Sequence, residues 1–140
     1  MILLDTSILS RVFRRSQLGP AEQQLRDNVE GLMAGELPLG LPGIVLQEVL
    51  SGIRSTRQFA ELEHRFLAAF AIILPRVEDH VEAARLRNKC LAGGISVSGP
   101  DCLIAVLAIS GNHELFTADS DFEAIARHAP LKLFESRNDA

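Results

Sequence analysis

Residues 1–9 read MILLDTSIL: an apolar run from Ile2 to Leu4, a polar trio of Asp5, Thr6 and Ser7, then apolar residues again. A short apolar run with a polar stop reads as a buried strand. The trio has two readings. In one, Asp5, Thr6 and Ser7 cap the helix that follows, because such side chains accept hydrogen bonds from free backbone N–H groups. In the other, Asp5 is one corner of a carboxylate cluster at the top of a sheet. The rest of the chain has to choose between them.

Downstream, Gly19-Pro20 marks a helix start, with Pro at the first helical position and Glu22 in the first turn. Leu25, Val29, Leu32 and Met33 give that helix one apolar face, and Gly35 ends it. An extended piece, Leu37 to Leu41, leads through Pro42-Gly43 to a helix whose stripe is Leu46, Val49, Leu50 and Ile53. Phe59, Leu62, Phe66 and Phe70 mark the next helix, and Ala71 to Leu74 a second strand closed by Pro75. Val77 to Leu91 is helical, with Arg85, Arg87 and Lys89 on its polar side and Gly93-Gly94 as its stop. Asp101 to Ile109 (DCLIAVLAI) is apolar nearly all round, the mark of a buried helix. Glu114 to Thr117 reads as a strand, Asp121 to Arg127 as a short helix, and Leu131 to Phe134 as a last strand. Strands alternating with helices imply parallel βαβ units, hence an α/β/α three-layer sandwich around a mainly parallel sheet of four to five strands. No repeat or linker divides residues 1–140, so a single domain is expected.

The totals narrow the function classes. A 47% hydrophobic, 23% charged chain suits a soluble globular fold, and no apolar run approaches the roughly 20 residues that span a bilayer. The N-terminus lacks the basic start of a secretory signal, so a cytoplasmic protein is expected. Cys90 and Cys102 are too few for a metal knuckle and read as buried free thiols. A net charge of −4 does not advertise a nucleic-acid binder, yet 12 of the 14 basic residues are arginine, which grips phosphate bidentately. A local patch, not the total, decides that question.

In open parallel sheets the functional crevice lies outside the carboxyl ends of the strands. Asp5 follows the first strand and Asp119 follows the Glu114–Thr117 strand by two residues, while Asp101 leads the buried helix. Each has a plainer explanation. Ser98 with Asp101, and Ser120 with Glu123, fit the spacing of capping boxes, which leaves Asp121 as a first-turn acid favoured by the helix dipole. Glu48 lies off the apolar stripe, as a solvated surface residue would. Their coincidence is harder to explain singly. Clustered carboxylates take up protons unless a cation neutralises them, and all-oxygen ligands point to magnesium or manganese. None of His64, His80, His113 and His128 has ligand spacing with another. Such a metal site suits phosphate chemistry.

Four motifs carry a family resemblance: LLDTSIL (3–9), LQEVLSGIR (46–54), PDCLIA (100–105) and LFTADSDF (115–122). Together, in this order, they resemble the four acidic signatures of PIN domains, in particular the VapC-type ribonuclease toxins of toxin–antitoxin pairs. The resemblance implies that Asp5, Glu48, Asp101 and Asp119 are catalytic, and that Asp5, Asp101, Asp119 and Asp121 hold Mg²⁺ or Mn²⁺, Asp121 more peripherally. It implies that Thr6 and Ser7 orient Asp5, with Thr117 beside the fourth acid. It implies an endoribonuclease that cuts structured RNA such as tRNA or rRNA, leaving 3′-hydroxyl and 5′-phosphate ends. Its expected partners are RNA, a small antitoxin and a second copy of the chain. Arg11, Arg14, Arg15, Arg54 and Arg57 lie nearest the acid motifs in sequence and are candidate RNA contacts, although solvated helix faces explain them equally well.

Two rivals fit less well. Phosphoryl transfer of the haloacid dehalogenase type needs a second acid two residues after Asp5, where Ser7 stands. A receiver-like or PIN-like domain kept only for protein binding would need either a strand-end lysine, which Lys89 and Lys132 do not supply, or the loss of some acids.

Overall fold

The apolar runs at the two ends of the chain lie side by side. In a computed structural model describing residues 1–14 and 17–135, strand β1 (Ile2–Leu4) pairs in parallel with β4 (Glu114–Phe116) on one side and with β2 (Leu39–Pro42) on the other. Strands β3 (Ala71–Ile73) and β5 (Lys132–Leu133) form the edges, so the order is β3-β2-β1-β4-β5, all parallel. Parallel neighbours require crossovers, which helices supply. Helices α1 (Thr6–Phe13), α2 (Pro20–Ala34), α3 (Gly43–Leu50) and α4 (Thr56–Ala69) pack on one another between β1 and β3. The second group is α5 (Val77–Ala92), α6 (Gly99–Ser110) and α7 (Ser120–Ala126). The expected α/β/α sandwich holds, with five strands.

Strand order reverses at the β1/β4 pair: β1 leads towards β2, whereas β4 leads towards β5. Such a switch point opens a crevice at the carboxyl ends of its two strands. Asp5 follows one of them and Thr117 the other. The Asp5 N–H also donates to the Phe116 carbonyl, 3.2 Å, which extends the ladder one residue and fixes the acid's backbone against β4.

Beneath this edge the core is continuous. Leu3, Leu4, Leu41 and Leu115 are fully buried in the sheet, and Phe66 anchors α4 by edge-to-face contacts with Phe13 at 5.3 Å and Phe70 at 5.9 Å. Helix α6 is buried along Cys102, Ile104, Ala105, Val106, Leu107 and Ala108, as its unbroken apolar sequence requires. Both cysteines are free and fully buried, and burial pushes the Cys102 thiol up to about 11. Among the described residues, no helix is long and apolar enough to cross a membrane.

Several boundaries differ from the sequence expectation. Helix α3 ends at Leu50, before Ile53, because Gly52 turns the chain at φ +92°. The extended piece begins at Leu39 rather than Leu37, since Leu37 and Pro38 are exposed and only Leu39 onward pairs with β1. Phe59 stays partly in solvent, so α4 is held by Leu62 and Phe66.

Candidate active site

Asp5 occupies the N-cap position of α1, but the hydrogen bonds that hold its side chain come chiefly from two hydroxyls rather than from the helix end. Ser7 Oγ donates to Asp5 Oδ1 at 2.7 Å, and Thr117 Oγ1 donates to Asp5 Oδ2 at 2.9 Å. The direction of both bonds follows from what the hydroxyls accept. Ser7 Oγ accepts the Ala118 N–H at 2.9 Å, and Thr117 Oγ1 accepts the Asp119 N–H at 3.0 Å. Each hydroxyl has one proton, so each is free to give it to Asp5. Asp5 is therefore held as an acceptor although only 4% exposed. Burial pushes its carboxyl up to about 6; the hydroxyls of Ser7 and Thr117 and the Ile8 backbone pull it back, and the charge of Asp119 adds to the rise.

Three other acids meet beside it. Asp101, Asp119 and Asp121 each present a carboxylate oxygen within 4.8 Å of the other two. Asp101 enters from the first turn of α6, whose end is closed by Ser98 Oγ accepting the Asp101 N–H at 3.2 Å. Burial raises its carboxyl, and the charges of Asp119, Asp121 and Glu48 raise it further, while Ser98 opposes them. Asp119, not Ser120, occupies the N-cap of α7, where its Oδ1 accepts the Asp121 N–H at 2.9 Å.

Glu48 projects from α3, and its Oε2 accepts a hydrogen bond from Thr6 Oγ1 at 3.0 Å. The sequence reading gave Thr6 and Ser7 one task, orienting Asp5. The structure divides it: Ser7 orients Asp5, and Thr6 orients Glu48. Consecutive residues at a helix start point in different directions, so a single residue pair serves two acids.

The structure thus brings Asp101, Asp119 and Asp121 to ligand spacing, sets Asp5 against them through the Thr117–Asp119 link, and turns Glu48 within electrostatic range of Asp101. Asp121, expected at the periphery, lies within this spacing and is the exposed one of the three. An oxygen-only donor set of this kind suits magnesium or manganese and offers zinc no nitrogen or sulfur. The remaining buried acid, Asp79, is structural: it accepts the Arg76 N–H at 2.8 Å at the start of α5.

The candidate arginines are not brought together in this way. Arg57 pairs with Glu61 at 3.2 Å. Arg11 and Arg54 are exposed, and the Arg14 guanidinium lies so close to Gly52 that a side chain there would collide with it at 2.6 Å. Arg15 lies outside the described residues.

A match to the PIN domain family covers residues 2–128. Solved structures share the fold over nearly the whole chain. VapBC2 from Rickettsia felis, bound to a DNA fragment from its promoter, is 23% identical with a TM-score of 0.71, covering 98% of this chain and 100% of that one. VapBC-1 from nontypeable Haemophilus influenzae is 18% identical with a TM-score of 0.73, covering 96% and 98%. VapC20 from Mycobacterium tuberculosis, a sarcin-ricin loop cleaving toxin, is 13% identical with a TM-score of 0.69, covering 94% and 98%. At these identities the likeness establishes the architecture.

Proposed function

Because the chain belongs to the PIN domain family, we propose that it is a Mg²⁺- or Mn²⁺-dependent endoribonuclease and the toxin of a type II toxin–antitoxin pair. The observation that carries this reading is the convergence of Asp101, Asp119 and Asp121 at ligand spacing, with Asp5 and Glu48 turned to the same crevice. Structural neighbours that are toxin–antitoxin complexes, and one that cleaves the sarcin-ricin loop, support it. The substrate is structured RNA, tRNA or rRNA. The partners are a small antitoxin and a second copy of the chain, and the site of action is the cytoplasm.

Asp5, Asp101, Asp119 and Asp121 would hold the cation, which when bound supplies an activated water and offsets charge on the phosphodiester. The residues do the rest. Ser7 and Thr117 keep Asp5 ionised by donating to both of its oxygens. Thr117 also ties Asp5 to the Asp119 backbone, so the two acids keep one spacing. Glu48, steadied by Thr6, orients the water for in-line attack and takes up its proton. The products are 3′-hydroxyl and 5′-phosphate ends.

The test is cleavage of a mixed tRNA and rRNA substrate by purified protein. Cleavage with Mg²⁺ or Mn²⁺, none in EDTA, and a loss of roughly two to three orders of magnitude in Asp5→Asn are expected. Cleavage in EDTA, or full activity of Asp5→Asn, refutes the mechanism. Growth arrest on expression, relieved by a neighbouring small gene, tests the toxin assignment; growth unaffected by the wild type refutes it.

A further inference from the structure

A cleft of about 360 Å³ opens between α3, α5 and α6, lined by Ile44, His80, Ala83, Ala84, Arg87, Gly99, Pro100 and Leu103. Two of its lining residues stand next to acids of the crevice on the same helices. Pro100 precedes Asp101, and Ile44 lies one helical turn before Glu48 on the same side of α3. The electrostatics of the two spaces are opposite. The crevice gathers carboxylates, whereas no lining residue of the cleft is acidic and two, Arg87 and His80, are basic or titratable.

Arg87 differs from its neighbours along α5. Arg85 is paired with Glu82 and Arg76 with Asp79. Among the described residues Arg87 meets no carboxylate; its Nε donates to the Val97 carbonyl at 3.0 Å. That bond fixes the guanidinium and uses one of its five donors, leaving the terminal nitrogens for an anion. A polyanion approaching a cluster of acids in a chain of net charge −4 needs such a cation nearby. The rest of the lining is mostly apolar: Ala83, Ala84, Pro100, Leu103 and Ile44. The chain has no tryptophan or tyrosine, so base stacking falls to residues such as His80.

We propose that this cleft is a nucleotide subsite for the RNA strand, in which Arg87 holds the phosphate next to the one that is cut and His80 stacks on the base. The proposal rests on the nuclease reading above and adds to it where the flanking nucleotide lies. The Arg87 contact grips RNA in ground and transition state alike, so its loss raises KM and leaves kcat.

The experiment measures binding of a fluorescein-labelled single-stranded oligoribonucleotide of mixed sequence to the full chain in EDTA, by anisotropy across a salt series. It compares wild type, Arg87→Ala, Arg87→Lys and His80→Ala. Mg²⁺-dependent cleavage kinetics and Mn²⁺ titration calorimetry on the same proteins give the controls. Arg87→Ala is expected to weaken RNA binding about tenfold, the cost of one charge-assisted hydrogen bond. It should also flatten the salt slope by about 0.7, the share of one phosphate contact on a single strand. Arg87→Lys recovers the slope, and Mn²⁺ binding is unchanged in all variants. Wild-type affinity and slope in both alanine variants overturn the proposal. So does a change in oligomeric state by analytical ultracentrifugation with RNA binding intact, which would make the cleft a contact between copies. If the wild type binds RNA through Arg87 but does not cleave it, the nuclease reading fails, and with it the placement beside a cut phosphate, while RNA binding in the cleft stands.

Discussion

Thr117→Val removes one oxygen and keeps the shape of the side chain. That oxygen donates to Asp5 Oδ2 at 2.9 Å and accepts the Asp119 N–H at 3.0 Å. A hydrogen bond to a charged group contributes about 1.5–3 kcal/mol. Asp5 is almost fully buried, so little water can replace the lost donor, and the ionised form bears the cost. At about 1.4 kcal/mol per pKa unit, its carboxyl should rise by roughly one to two units from about 6. Cleavage needs Asp5 ionised, so activity climbs with pH through this value. With Mg²⁺ held well below its half-saturating concentration, so that the metal-free protein sets the profile, the acidic limb of kcat/KM should therefore move up by one to two units in the variant. Activity is depressed about two- to tenfold near neutrality and recovers towards wild type by about pH 9. The assay is a pH–rate profile on one RNA substrate from pH 5 to 9.5. Superimposable limbs, or a loss equal at every pH, would show that Thr117 does not act through the ionisation of Asp5.

The same burial has a stability counterpart. Below pH 3.8 Asp5 is protonated whether folded or not; between 3.8 and about 6 only the folded state keeps its proton, so metal-free stability falls as pH rises through that window, by about 3 kcal/mol in all. Asp5→Asn removes the titration, so the wild-type minus variant difference in unfolding free energy, from urea denaturation in EDTA, should fall by about 3 kcal/mol between pH 3.8 and about 6 and stay level above it; a pH-independent difference counts against it. The variant should also lose cleavage by about 3–4 kcal/mol, roughly two to three orders of magnitude in kcat, measured in single turnovers. Ser98→Ala leaves the Asp101 N–H without its cap and should cost about 1 kcal/mol in thermal unfolding, with a rise in the Mg²⁺ concentration needed for half-maximal activity; an unchanged requirement would separate the cap from the site. Phe66→Ala breaks two aromatic contacts in the core and should cost about 3–5 kcal/mol by urea denaturation, with metal binding retained in the fraction that folds.

What the sequence reveals depends on how local the cause is. Asp5 stands out because an acid ends an apolar run, and Asp101 because one leads an all-apolar helix; both signals lie within a few residues. Their meeting with Asp119 follows from a topological rule that needs only the alternation of strands and helices. Glu48 is different. Off the α3 stripe it looks solvated, and what recruits it is Thr6, 42 residues away, at a helix crossing no periodicity encodes. The cap of α7 was displaced by one residue because Asp119 and Ser120 are both competent caps, and the β4 geometry chose Asp119. Ile53 left the stripe because Gly52 at positive φ ends α3, a choice set by the turn rather than by hydrophobicity. Arg87 reads as one of three basic residues on a polar face until the Val97 carbonyl singles it out.

The pairing of β1 with β4 joins residues 112 apart, from Asp5 to Thr117. Loop closure across such a span is entropically costly and comes late relative to local helix formation. Until it happens, Asp5 has neither Thr117 nor Asp119 beside it. A growing chain would carry its first acid for almost its entire synthesis without a nuclease centre, and any product truncated before β4 would be inert. If this protein is a toxin, the topology itself delays its potency until the fold is complete.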